Sequence, residues 1–442
     1  MKTLIVYICF IVSLCLFTFA PDSYDQTFCN ICFSVFITAL ICYFKKKNKQ
    51  NYFDFDTIFL LTSIFMLYLY PIVVYPATQS TEILLFDFDI SKISQGTSLS
   101  TFGLCSYLAG SISYTRRNTT SKLRSLLQTK KLTVFSIICF LVYIGLGGWL
   151  KMRMAYQNDH SVDSGPSEYF YLLSYISLSV IIAIWFNNEF ILYPQKFKFK
   201  YLSKTSIAYL GIFIVMMLLA GQRSIPMQLI LCCLGLYSYM YNPIPFWKVS
   251  CLMIVGIIGM FGILLLRSQG QIMEMSGEDD YVMFTDLLVV ARNSFECISY
   301  VDKHGFSYGI SLLSPLLAAI PMLQGIILPI LGITPSEAAS AKLLTAFSLG
   351  ENSKIGVGTN IIADLYIAFG IIGVFIGMFL LGRFIAYLLS KGKHSIYALS
   401  AYGVMISYAV YLVRAEYFFF IRALVWTYFI IYLVKYRKKI SI

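Results

Sequence analysis

Residues 205–266 read TSIAYLGIFIVMMLLAGQRSIPMQLILCCLGLYSYMYNPIPFWKVSCLMIVGIIGMFGILLL, and only Arg223 and Lys248 among these 62 residues are charged. Three apolar runs, 205–220, 225–241 and 246–266, are parted by the links GQRS and NPIP. Each run reaches or approaches the ~20 residues that an α-helix needs to cross a hydrocarbon layer of roughly 30 Å. They read as consecutive membrane spans.

Working outward, nine further segments have the same character: 3–20, 27–44, 57–76, 97–115, 132–150, 169–187, 360–381, 395–413 and 417–434. The 442-residue chain is 58% hydrophobic and 13% charged, with a mean hydropathy of +0.73. A soluble domain carries about 45–50% apolar and about 25% charged residues. A soluble enzyme, a nucleic-acid-binding domain and a disordered chain are excluded. The expected fold class is an all-α, polytopic integral membrane protein with about twelve transmembrane helices. The first segment looks like a signal peptide, with Lys2 and Ala20, but Pro21 at the would-be cleavage point argues for a retained anchor.

Basic residues collect in cytoplasmic loops, so their distribution orients the chain. With the N-terminus inside, the inner segments hold 23 Lys and Arg against three acids, Asp54, Asp56 and Glu189, a net of +20. The outer segments hold 11 basic and 19 acidic residues, a net of −8. The overall charge of +12 is therefore a topology signal and implies no nucleic acid. Both termini are expected in the cytoplasm.

The chain divides into nine spans over 1–266, one large outer loop over 267–355, and three spans over 356–442. Within the loop, 282–303 reads as an amphipathic helix. Asp286, Arg292, Asn293, Glu296 and Lys303 fall in one sector, and Met283, Leu287, Val290, Ala291, Phe295 and Ile298 lie opposite. Such a helix would lie at the membrane surface, its polar face turned to water or to a ligand head group. The apolar piece 310–333 is interrupted by Pro315, Pro321 and Pro329. It reads as a re-entrant or surface-lying segment, because a further crossing would place Lys391, Lys393 and the Lys435–Lys439 tail outside.

Charges at membrane depth cost roughly 2.5–3.5 kcal/mol on insertion scales, so the few that occur are informative. They gather on the outer side: Arg223 in GQRS, Arg267 at the mouth of its span, Asp364 at the start of another, and Arg414, Glu416 and Arg422 in the last hairpin. Two readings are open for Arg422, an internal ion pair with Asp364 or Glu416, or membership of a cationic pocket. Arg suits the second role because its planar fork grips phosphate and keeps its charge. The ligand such a pocket fits is a lipid-linked phosphate or diphosphate. The two DxD triplets, Asp54–Asp56 and Asp87–Asp89, could hold a divalent ion against a diphosphate, but this spacing also arises by chance. Cys29 and Cys32 form a CxxC without a nearby His or second pair, and thiols within apolar runs are packing residues. No metal or cofactor is expected. Gly256, Gly259 and Gly262, with Gly373 and Gly377, put small residues on helix faces and suit close helix packing.

The run GVGTNIIADLYIAFGIIGVFIG, Gly356–Gly377, with Asp364, Tyr366, Gly370 and Gly373, resembles the signature region of the Wzy-type O-antigen polymerases, bacterial oligosaccharide repeat-unit polymerases. The stretch Tyr308-Gly309-Ile310-Ser311 through Ile320-Pro321 and an arginine in the closing hairpin, here Arg422, are also similar; many family members carry Pro-Arg where this chain has Pro321-Met322. The resemblance implies a glycosyltransferase of the bacterial inner membrane, working at its periplasmic face. It would move a glycan from undecaprenyl diphosphate onto the next lipid-linked repeat unit, alongside a flippase and a chain-length regulator. Arg223, Arg267, Arg292, Arg414, Arg422 and Tyr366 are the candidate substrate-binding residues, since preorganised Arg can stabilise a leaving diphosphate without a metal. His304, Glu296 and Asp364 are the candidate acid–base groups, with the cluster Glu278-Asp279-Asp280 on the same side. A lipid-linked oligosaccharide flippase and an O-antigen ligase are the rival functions.

Overall fold

A computed structural model describes residues 1–79, 88–115, 125–158, 165–198, 203–267, 285–351, 353 and 356–440. All regular structure among these residues is helical. The N-terminal half contains α1 (Lys2–Thr18), α2 (Gln26–Lys46), α3 (Phe55–Leu69), α4 (Tyr75–Thr78), α5 (Ile93–Ser113), α6 (Lys130–Gly145), α7 (Gly148–Asn158) and α8 (Ser167–Leu192). Then come α9 (Lys204–Leu219), α10 (Ser224–Met240), α11 (Phe246–Arg267), α12 (Thr285–His304), α13 (Leu313–Leu317), α14 (Leu323–Ile330) and α15 (Ser340–Leu349). The chain closes with α16 (Ile361–Lys391), α17 (Ile396–Ser407) and α18 (Ile421–Ile440).

Each of the twelve apolar segments contains a helix. Among the described residues, four helices are long and apolar enough to cross a membrane: Gln26–Lys46, Phe55–Thr78, Ser167–Leu192 and Ile361–Lys391. The pair Lys130–Gly145 and Gly148–Met154, bent by 61°, is a fifth if counted as one span. Helices α1, α9 and α10 are apolar but shorter, at 17, 16 and 17 residues. At 1.5 Å per residue they cover about 24–26 Å.

Helices α5 and α16 form the centre. Helix α5 is rich in hydroxyls and small residues, and it is buried along most of its length. Thr97, Ser100, Thr101 and Ser106 return their hydroxyl protons to carbonyls one turn earlier at 2.7–3.0 Å, so burial leaves none of them stranded. The missing side chains let the helices touch backbone to backbone. A Cβ at Gly110 would stand 2.0 Å from the Phe379 carbonyl oxygen, and one at Gly382 would stand 2.1 Å from that of Tyr107. Two of the glycines expected to pack α11 do not: among the described residues nothing lies within 4 Å of a Cβ at Gly256 or Gly259, and the setting of Gly262 lies outside them. Gly373 and Gly377 are packed, but against Leu365 of their own helix, folded back across a break.

At the end of the bundle where α2 stops and α3 starts, Asp56 accepts hydrogen bonds from Tyr43 at 2.5 Å, from Lys47 at 3.0 Å and from Tyr107. Lys49 pairs with Asp54 at 2.7 Å. Both carboxylates of the first DxD are thus engaged in fastening α2, α3 and α5. In the second, Asp87 lies outside the described residues, and Asp89 accepts from the Ser91 backbone and hydroxyl at 3.0 and 2.7 Å. Cys29 and Cys32 are buried free thiols.

The opposite end carries α12–α15. The expectation of a helix with an open polar face needs correcting, because α12 is embedded. Its apolar residues Leu288, Ala291 and Phe295 meet Tyr70, Val74 and Ile93. Its polar residues Arg292, Asn293 and Glu296 are at most 5% exposed; Asn293 donates to the Val357 carbonyl at 3.3 Å and Glu296 accepts from the Ser348 hydroxyl at 3.3 Å. The segment 310–333 forms no span. It breaks into the short helices α13 and α14 around Pro321 and Met322, and it leaves Ile320, Met322, Ile326 and Ile330 exposed.

Candidate functional site

Helix α16 is broken near its start. Phe369 and Gly370 leave helical geometry, with Gly370 at φ +61°. Residues after α12 fill the break: the Ser307 N–H donates to the Ile367 carbonyl at 2.9 Å, a group freed by the interruption. Phe306 sits where a Gly370 side chain would be, and Phe369 sits where a Gly309 side chain would be. Asn360 pins the start of α16. Its oxygen accepts from Ile362 and Ala363 N–H at 3.1 and 2.8 Å, and its amide donates to the Val290 carbonyl and Ser294 hydroxyl at 3.0 and 2.9 Å. The two sequence stretches that carry the family resemblance therefore interlock, and together they fasten α12 and α16.

Asp364 is fully buried and accepts the Tyr417 N–H at 2.7 Å, with Ser340 and Glu416 beside it. Glu416 in turn accepts the Ala341 N–H at 3.4 Å, and burial pushes its carboxyl above the usual range. Asp364 thus ties the last hairpin to α16. No ion pair links Arg422 to either acid among the described residues. We expect Asp364→Ala to strand the buried Tyr417 N–H and cost about 1–3 kcal/mol. Thermal unfolding in detergent should fall for Asp364→Ala and recover largely in Asp364→Asn, which keeps an acceptor.

Arg292 and Glu296 stand one turn apart on α12, with the Ser348 hydroxyl 3.3 Å from the Glu296 carboxylate. Burial lowers the Arg292 pKa and raises that of Glu296, and their mutual attraction opposes both shifts. His304 is exposed at the end of α12, stacked on Tyr300 at 4.8 Å and edge-on to Phe347. Tyr366 is buried, with its ring against Phe17 and Phe306. Arg414 is exposed on a short turn, and Arg223 precedes α10. The Arg267 side chain and the Glu278–Asp280 cluster lie outside the described residues.

Arg422 has a different setting. It lines a cavity of about 710 Å³ enclosed by the start of α8, the start of α18 and the proline-broken hairpin. Glu168, Tyr169, Met322, Gln324 and Pro335 share the wall. The guanidinium lies 5.7 Å from the centre of the Tyr169 ring. The Tyr169 hydroxyl accepts the Met322 N–H at 3.4 Å, and Gln324 donates to the Ser314 hydroxyl at 2.9 Å, so the rim is held. Met322 sits at φ +65°, a strained conformation for a residue with a side chain. None of the other named arginines is on this wall among the described residues.

Glu168 and Tyr169 are the site residues that sequence reasoning missed. A span boundary at 169 leaves Glu168 in the preceding loop, where an acid draws no notice. The usable signal was an acid one residue outside an otherwise almost uncharged span.

No curated protein and no solved structure matches the chain. The family model described as O-antigen polysaccharide polymerase Wzy matches residues 2–438. With the match running over almost its whole length, the chain belongs to the O-antigen polysaccharide polymerase Wzy family.

Proposed function

We propose that this protein joins undecaprenyl-diphosphate-linked oligosaccharide repeat units into O-antigen or capsule-type polysaccharide at the periplasmic face of the inner membrane. In this reading it crosses the membrane about twelve times with both termini inside, and α12–α15 lie on the periplasmic side. The charge asymmetry of the loops supports that orientation. The observation that carries the proposal is Arg422, charged and without an ion-pair partner among the described residues, facing an open cavity at one end of the bundle.

The chemistry follows from that wall. A sugar hydroxyl of the acceptor attacks the anomeric carbon of the donor glycan. The new carbon–oxygen bond forms as the bond to the diphosphate breaks, and the lipid diphosphate leaves with the bonding pair. Its growing negative charge meets Arg422 in a site of low dielectric, where a fixed cation is worth most. Glu168 is the wall's carboxylate and takes the hydroxyl proton. His304, Glu296 and Asp364 are not on this wall, so the acid–base role passes from them to Glu168.

Purified protein in liposomes, supplied with lipid-linked repeat units, should extend them, and should do so in excess EDTA. Translocation without extension would identify a flippase. A strict Mg²⁺ requirement would return attention to Asp87 and Asp89.

A further inference from the structure

Below the Arg422 cavity lies a second hollow of about 660 Å³, between α6, α8 and α18. The two have no lining residue in common, but the same two helices, α8 and α18, contribute to both. Helix α8 gives Glu168 and Tyr169 to the first and Leu173 and Asn188 to the second. Helix α18 gives Arg422 to the first and Trp426, Phe429 and Leu433 to the second. Arg422 to Val434 is twelve residues, about 18 Å of helix, or more than half of the ~30 Å hydrocarbon depth.

We propose that this groove carries the isoprenoid tail of the lipid whose diphosphate sits at Arg422. The inference rests on the reading of that cavity as the diphosphate site. A lipid head gripped there must send its tail somewhere, and the hollow along the same helix pair is apolar where the cavity is charged. Its walls are set before any tail arrives. The Trp426 indole N–H donates to the Ala319 carbonyl at 3.1 Å, fixing the ring at the junction. At the far end, Asn188 holds both the N–H and the carbonyl of Leu127, at 3.1 and 2.7 Å. Gln128 and Lys131 close that end with polar groups. The head–tail order of charge, then apolar wall, matches an anionic lipid entering from the α12–α15 end.

The test uses the full-length protein in liposomes with one repeat unit on two carriers, undecaprenyl diphosphate and geranyl diphosphate. The wild type should prefer the long tail in kcat/KM. Leu433→Trp, which fills the groove, should shrink that preference about tenfold, the worth of one or two buried methylene contacts. Because the preference is a ratio, it does not depend on how much variant folds. Arg422→Lys should slow both substrates and keep the ratio. A wild type without preference, or a Leu433→Trp ratio equal to wild type, overturns the groove while leaving the diphosphate site standing; equal rates in Arg422→Lys and wild type overturn the site itself. A photoactivatable isoprenoid phosphate should also label the peptide containing Phe429. Competition by undecaprenyl phosphate supports the proposal, and equal competition by phosphatidylglycerol overturns it by making the groove an ordinary bilayer-lipid site.

Discussion

Arg422→Ala should stop chain growth while protein abundance stays normal. In a polysaccharide ladder gel the long chains should collapse to a single repeat unit, with an immunoblot at wild-type intensity. Removing one preorganised group that stabilises developing negative charge costs about 10²–10³ in rate. The fold should tolerate the change, because Arg422 makes no ion pair among the described residues and borders an open cavity. Arg422→Lys keeps a positive charge but loses the two-pronged hydrogen bond, so its ladder should fall between the two. A wild-type ladder from Arg422→Ala would remove the cavity from the mechanism.

The second large effect is on folding. Gly110→Leu should abolish accumulation of the protein, and Gly382→Leu should do the same. Even the first carbon of a side chain at Gly110 would lie 2.0 Å from a carbonyl oxygen of α16. A carbonyl within a helix cannot rotate away as a side chain does, so the pair must separate along its length. That exceeds the ~1–3 kcal/mol typical of overpacking a deformable core. Gly256→Leu is the matched control. A Cβ there would meet nothing within 4 Å among the described residues, and the variant should reach wild-type abundance. Immunoblots of the membrane fraction separate the cases, and equal levels for Gly110→Leu and Gly256→Leu would refute the close-packed α5–α16 core.

The same glycines mark where sequence reading succeeds and where it stops. Spacing on one helix face identified Gly256–Gly262 as a packing surface, yet α11 leaves Gly256 and Gly259 uncovered, while the decisive contacts use Gly110 and Gly382. Periodicity tells which residues share a face; it is silent on which neighbour arrives there. The amphipathic pattern of α12 shows the same limit. Its two faces were legible, but the burial of the polar one depends on Asn293, Ser348 and Asn360 finding partners across the loop, in Val357, Glu296 and Val290.

Apolar run length and composition alone determined that this chain is helical, where its apolar helices lie, and that several of them suit a bilayer. Hydrocarbon thickness acts on each segment separately, so a one-dimensional sequence carries that information in full. The signature around Asp364 marked a region that matters, without saying that Asp364 is a buried fastener for the last hairpin. Only the tertiary structure decided that Arg422 lines one cavity with Glu168 and Tyr169, while Arg292 is enclosed and Arg414 is exposed. A site made of single residues from helices distant in sequence has no local pattern; it exists only once packing has brought α8 and α18 side by side.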